Sequence, residues 1–261
     1  MKSYDGKKFI YEKQQLIEVI CQLRFPTILS IDTDVPAAFQ ETVRERFPRY
    51  EVKEENLPTP QGMKKQKNHA FISEDGSYKL SLTQSFIALS TMRYTSWEDF
   101  AAWLDEPLVN FINVYKPAYF ERIGLRYVNG FSREALGLGD RRWNDLIQSK
   151  YLGVLDDDDV DEASVTKSSM DVEMKLGGNF AAKLHAGPGY VKRAIRTPKG
   201  IQQVQEPKSR FIFDQDLFSA GKLRLHEAAG VLDSIHDHAD RLFSEAITDV
   251  LHNAMEPVIV D

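Results

Sequence analysis

The run Leu16-Ile17-Glu18-Val19-Ile20-Cys21-Gln22-Leu23-Arg24-Phe25 alternates in character, and period-two alternation marks a strand with one face in a core. It puts Ile17, Val19, Cys21, Leu23 and Phe25 on one face and Glu18, Ile20, Gln22 and Arg24 on the other. Pro26 closes it. Residues 119–128 obey the same rule: Ile123, Leu125 and Tyr127 on one face, Arg122, Gly124 and Arg126 on the other.

Outward from the first strand, Pro36 suits a first helical turn, and AAFQETVRERF continues as a short helix up to Pro48. Residues 51–66 carry two prolines, a glycine and a lysine cluster and read as an exposed loop. Three strands are predicted near 67–74, 77–83 and 86–94, the first two hinged at Asp75-Gly76. Ser96 is placed to cap a helix whose first turn holds Glu98 and Asp99. Its apolar residues, Phe100, Trp103, Leu104, Leu108, Phe111, Ile112 and Tyr115, recur at helical spacing. Pro107 is expected to kink it, and Lys116-Pro117 to end it.

Beyond Gly130 a short helix is expected from Trp143 to Lys150, then strands near 163–176, 179–186 and 201–214, with Gly177-Gly178 joining the first two. A long helix is predicted over 223–255, with Leu225, Ala228, Leu232, Ile235, Ala239, Leu242, Ala246 and Val250 as its core stripe. The expected fold is α+β: a curved antiparallel sheet built from two similar halves, each a helix, three strands and a long helix, with two long helices backing it. The halves, 1–130 and 131–261, are expected to pack as one compact unit.

At 42% hydrophobic and 28% charged residues, the chain has enough apolar matter to bury a core. Net charge is −6, and the deficit lies in residues 131–261, where 22 acids face 16 bases; residues 1–130 balance at 17 each. Neither half has the basic excess that duplex nucleic acid asks for. Cys21 is the only cysteine, which excludes an intramolecular disulfide and a cysteine-based zinc site. MKSYDGKKFIYEKQQ has no apolar h-region and reads as no signal peptide. No apolar run is long enough to span a bilayer, so cytoplasm is the expected location.

EVICQLRFP, FQETVRERFPRY and ERIGLRYVN, with AITDVL near the end, together resemble a known sequence family. It is a sporadically distributed, uncharacterised prokaryotic family of similar length marked by a G-x-R-Y motif, here Gly124-Leu125-Arg126-Tyr127. The resemblance implies no activity, since the family has none to carry over.

The first candidate site follows from the two alternating strands. If they are neighbours, Gln22, Arg24, Arg122 and Arg126 share a polar face and Gly124 leaves open space among them; Tyr127 completes the motif. Guanidinium forks hold carboxylate or phosphate bidentately. The competing reading pairs these arginines with Glu18, Glu121 and other acids.

The second candidate is the flank His238, Glu245, Asp249 and His252 of the last predicted helix, which points to a metal-assisted hydrolase or nuclease. Seven residues of helix rise about 10.5 Å, too far for one ion's ligand shell, and a charged flank with Arg241 as partner competes with that reading. The triplet His236-Asp237-His238 superficially resembles the histidine-aspartate phosphohydrolases, but its two histidines point far apart on a helix. The acidic run at 156–162 lacks the glycine and spacing of a calcium loop and reads as a solvated, mobile loop. His185-Ala186-Gly187-Pro188-Gly189 lacks a phosphate-loop signature and reads as a turn. No G-x-S-x-G elbow is present. The expectation is a non-enzymatic recognition or regulatory module, without cofactor or metal, for an anionic small molecule, a nucleotide or a partner segment. A third possibility, a structural part of a larger assembly, would use the apolar seam of the 223–255 helix.

Overall fold

The computed structural model describes residues 8–33, 36–59, 62–197 and 200–260. The chain runs through β1 (Lys8–Tyr11), β2 (Leu16–Arg24), a single turn α1 (Ser30–Thr33), α2 (Ala37–Val43), β3 (Arg49–Thr59), β4 (Gly62–Ile72), β5 (Tyr78–Leu82) and β6 (Phe86–Thr91). There follow α3 (Trp97–Tyr115), β7 (Phe120–Phe131), β8 (Met170–Gly177), β9 (Phe180–Gly189), β10 (Lys192–Thr197), β11 (Gly200–Gln205), β12 (Arg210–Leu223), α4 (Ala228–Ser244), α5 (Asp249–Ala254) and β13 (Pro257–Val260). Nine strands form one antiparallel sheet in the order β3-β4-β5-β6-β2-β7-β12-β9-β8, and β1-β13 and β10-β11 are two-stranded ribbons. No helix among the described residues is long and apolar enough to cross a membrane.

The decisive stretch is a strand at the middle of this sheet. Val19, Cys21 and Leu23 of β2 are fully buried beside Ile123 and Leu125 of β7, and burial pushes the Cys21 thiol far up. Ser96 caps α3, its hydroxyl accepting from the Asp99 amide at 3.1 Å. The helix passes through Pro107 unbroken and ends at Lys116, whose φ of 48° is the left-handed stop. From α3, Phe111 packs at 4.7 Å ring-to-ring on Phe25 and 6.4 Å from Phe39, which meets Phe71 of β4 at 5.5 Å.

Six expectations are corrected. Residues 51–59 and 62–66 are strand and not loop: β3 and β4 pair from Arg49↔Ile72 to Thr59↔Gly62; residues 60 and 61 lie outside the described residues. β5 pairs with β4 only over His69–Ile72, so the outer part is a two-stranded ribbon whose described side chains are mostly exposed, and its polar composition mimics a loop. The stretch 201–214 likewise divides into β11 and the start of β12.

The 223–255 helix is divided as well. Its first residues belong to β12 and a 3-10 turn, and the helix stops at Glu245 before α5 restarts at the Thr248 cap. The reason is backbone competition. Gln148 donates to the Ala246 carbonyl at 2.8 Å, and Thr248 donates to the Leu146 carbonyl at 2.9 Å, so residues 146–148 take the groups that a continuous helix needs. That neighbouring segment is two 3-10 turns (Trp143–Asp145, Ser149–Tyr151) and not one continuous short helix.

The acidic run is clamped. Arg142 donates to the carbonyls of Asp157 and Val160, each at 2.9 Å, and of Asp158 at 3.0 Å. Arg133 lies 4.2 Å over Trp143 and bonds Glu162 at 2.8 Å.

His185–Gly189 is the end of strand β9, not a turn. Its glycine is there for clearance: a Cβ at Gly187 would sit 2.4 Å from the Ser168 carbonyl oxygen and 2.9 Å from the Ser169 Cα. Both are backbone atoms, so relief requires moving the chain. Gly187→Ala is therefore expected to cost about 1–3 kcal/mol, the usual range for overpacking, read as a lowered urea midpoint. An unchanged midpoint would show that the 168–169 crossing yields freely.

Candidate functional site

β2 and β7 are hydrogen-bonded neighbours, with Gln22↔Gly124, Arg24↔Arg122 and Ile20↔Arg126 in register. Gln22, Arg24, Arg122, Gly124 and Arg126 thus share one face of adjacent strands. The third strand decides what they pair with. Asp214 and Asp216 of β12 project onto the same face. Arg126 forks onto Asp214, its Nε at 2.8 Å from Oδ1 and its Nη2 on Oδ2, and Arg122 bonds Asp216 at 2.6 Å. Arg24 donates to Gln22 at 3.1 Å. The acids are not Glu18 and Glu121 but the cross-strand aspartates, which the sequence separates from the arginines by some ninety positions.

Gly124 does not leave open space. A Cβ there would stand 2.2 Å from Arg122 Nη1, because the Arg122 side chain lies along the strand across Gly124, 4.5 Å over the Phe218 ring, to reach Asp216. The G-x-R-Y motif then has a physical reading. Gly124 clears a path for Arg122, Leu125 is core, Arg126 forks onto Asp214, and Tyr127 turns to the opposite side. Tyr127 is therefore separated from the arginine group with which the candidate site had joined it: it is 6% exposed and faces the core.

There the Tyr127 hydroxyl lies 2.9 Å from Nδ1 of His236 on α4, and the Tyr94 ring packs edge-on to Tyr127 with centroids 5.7 Å apart. His236 stacks on Trp97, the first residue of α3, with centroids 4.9 Å apart and planes within 15°. Its Nε2 stands 3.4 Å from Oδ2 of Asp240, one helical turn on. Trp97 Nε1 donates to Asp233 of α4 at 3.0 Å. Burial raises the Asp240 carboxyl above its ordinary range, and the tautomer with the proton on Nε2 lets the ring donate to Asp240 and accept from Tyr127 at Nδ1. Burial holds the His236 imidazole below its ordinary range and drives the Tyr94 and Tyr127 phenols upward, so the ring and both phenols are neutral near pH 7.

This relay lines a cavity of about 110 Å³. Phe9, Tyr11, Trp97 and Phe243 provide its apolar wall, and Tyr94, Asn129, Gln215, His236 and Asp240 its polar one. Gln215 lies directly across from Tyr127 in the sheet and donates to the Ala239 carbonyl at 3.2 Å. Both His236 nitrogens have internal partners, so the ring is a fixed wall of the cavity, not a free base.

The second candidate flank is dispersed. His238 is bonded by Arg241, Glu245 meets Lys150 at 3.3 Å, and His252 lies in α5 with Nδ1 at 3.0 Å from the Tyr11 hydroxyl. Asp249 begins α5, beyond the break. Among the described residues no three His, Cys, Asp or Glu groups come close enough together to hold a metal ion.

His236, Asp240, Tyr94, Asn129 and Gln215 went unnoticed as a group, yet a signal existed. Alternation places Asn129 in the core row of β7 with Ile123, Leu125 and Tyr127, and Gln215 in that of β12 with Phe211, Phe213 and Leu217. A polar residue in a core row must find a partner or face a cavity. No family model, no curated protein and no solved structure matches this chain.

Proposed function

We propose that this chain is a non-enzymatic recognition or regulatory module, and that the cavity between β7, β12, α4 and the start of α3 is its small-molecule site. The observation that supports it most is the pairing of an aromatic wall with neutral polar groups, Tyr94, Tyr127 and His236, the last two bonded to each other. Such a wall suits an amphipathic ligand of few atoms, fixed by a small number of hydrogen bonds. Gently purified protein weighed under native and then denaturing conditions should show a mass excess that disappears on denaturation, and Gln215→Leu should abolish the excess. Bare protein in both states would count against the cavity.

A second reading keeps the sheet face of Gln22, Arg24, Arg122 and Arg126 as a site for an anionic small molecule, a nucleotide or a partner segment. The side-by-side register of β2 and β7 favours it. Asp214 and Asp216 weigh against it, because an incoming anion must displace a bound carboxylate. On this reading a bound anion, with its mass excess, is lost in Arg126→Ala and kept in Gln215→Leu, the reverse of the cavity pattern.

The architecture we take as two similar halves, each closed by a long helix. Its support is the return path of the chain. After β2 it goes out to the β3 edge and returns to β6 beside β2; after β7 it goes out to β8 and returns to β12 beside β7. Membership of the G-x-R-Y family rests on the motif and the segments around it.

A further inference from the structure

The sheet has two edges of opposite character. On the β3 edge Lys53, Glu54 and Glu55 stand in succession and Pro58 removes a donor, the usual devices against edge pairing. The β8 edge has no proline and no run of consecutive charges, and its one register shift falls at its end, between Lys175 and Gly177. Its eight residues, Met-Asp-Val-Glu-Met-Lys-Leu-Gly, alternate strictly between half-buried and exposed. Met170, Val172, Met174 and Leu176 pack against the core yet stay half-open, and among the described residues no strand pairs with β8 beyond β9.

We propose that β8 pairs antiparallel with β8 of a second copy of this chain, extending the sheet across a twofold axis at Met174. The argument is register. A twofold axis perpendicular to the sheet keeps core-facing rows on one side, so residue i must face a residue of the same parity. Centred on Met174, Val172 faces Leu176 and Glu173 faces Lys175 in both directions. Centred on Glu173, that carboxylate faces its own copy. Centred on Val172, Asp171 faces Glu173; centred on Lys175, the ammonium faces itself. The Met174 register alone matches every facing pair of charges, and directly opposed like charges destabilise a sheet. It also sets Val172 against Leu176 and Met174 against its own copy, covering three of the half-open apolar side chains.

Sedimentation velocity over a concentration series tests this. The native chain should sediment as a species of twice the 29.8 kDa chain mass. Lys175→Glu, which sets Glu173 against a glutamate, should return it to monomer. Adding Glu173→Lys and Lys183→Glu to Lys175→Glu should restore the dimer, since the swapped charges again face their opposites across the axis and the ion pair of residues 173 and 183 within the chain, 2.7 Å in the native protein, is kept in reverse. A native chain that stays monomeric at every concentration overturns the proposal, as does a dimer indifferent to Lys175→Glu or one that the triple variant fails to restore.

Discussion

His236→Leu is expected to destabilise the fold by about 2–4 kcal/mol, because it strands a buried phenol and leaves polar groups unpaired. Tyr127 loses its partner at 2.9 Å and Asp240 the imidazole at 3.4 Å. Tyr127→Phe is the control: it removes the hydroxyl that would be stranded and should cost about 1 kcal/mol. Urea denaturation of the three proteins measures both differences. Equal costs would mean that the histidine matters through packing on Trp97 and not through the relay.

The same residue sets a pH dependence. Burial lowers the folded pKa of His236 below its ordinary 6.5. Between the two values the unfolded chain binds a proton that the native chain does not, so stability rises with pH there. The contribution is full above about 6.5 and is lost as pH falls through the folded value. His69, also lowered by burial, contributes in the same direction. His236→Leu should therefore reduce, without abolishing, the loss of stability on acidification.

Phe111→Ala carries the largest expected structural effect, about 3–5 kcal/mol. The ring is fully buried and contacts Phe25, Phe39 and Tyr115 at 4.7, 6.4 and 5.5 Å. Three aromatic neighbours drawn from a strand end, α2 and α3 itself are rigid, so the void does not collapse. Phe111→Leu, which refills most of it, should recover more than half of the loss; recovery of less would locate the effect in the ring contacts rather than in volume.

Alternation and capping were legible because they are local. The faces of β2 and β7 follow from two-residue periodicity, and Ser96, Lys116 and Asp75-Gly76 act through backbone groups a few positions away. The β3–β4 hairpin was misread for an equally physical reason. Its polarity reports that most of its described side chains face solvent, and a ribbon and a loop share that exposure. The division of the final helix is invisible in its own periodicity, since the groups that interrupt it belong to residues 146–148.

The candidate sites divide along the same line. Amino-acid order alone put Gln22, Arg24, Arg122 and Arg126 on solvent-side faces, made Cys21 a core residue, and set Tyr127 opposite the arginines, because side-chain direction in a strand is a property of the chain. Tertiary structure alone decided what those side chains meet. It brought Asp214 and Asp216 beside the arginines, laid Arg122 across Gly124, and closed Tyr127, His236 and Trp97 into one cavity wall. Partners so far apart in sequence are chosen by which strand lies next to which, and that is settled by burial of the whole sheet.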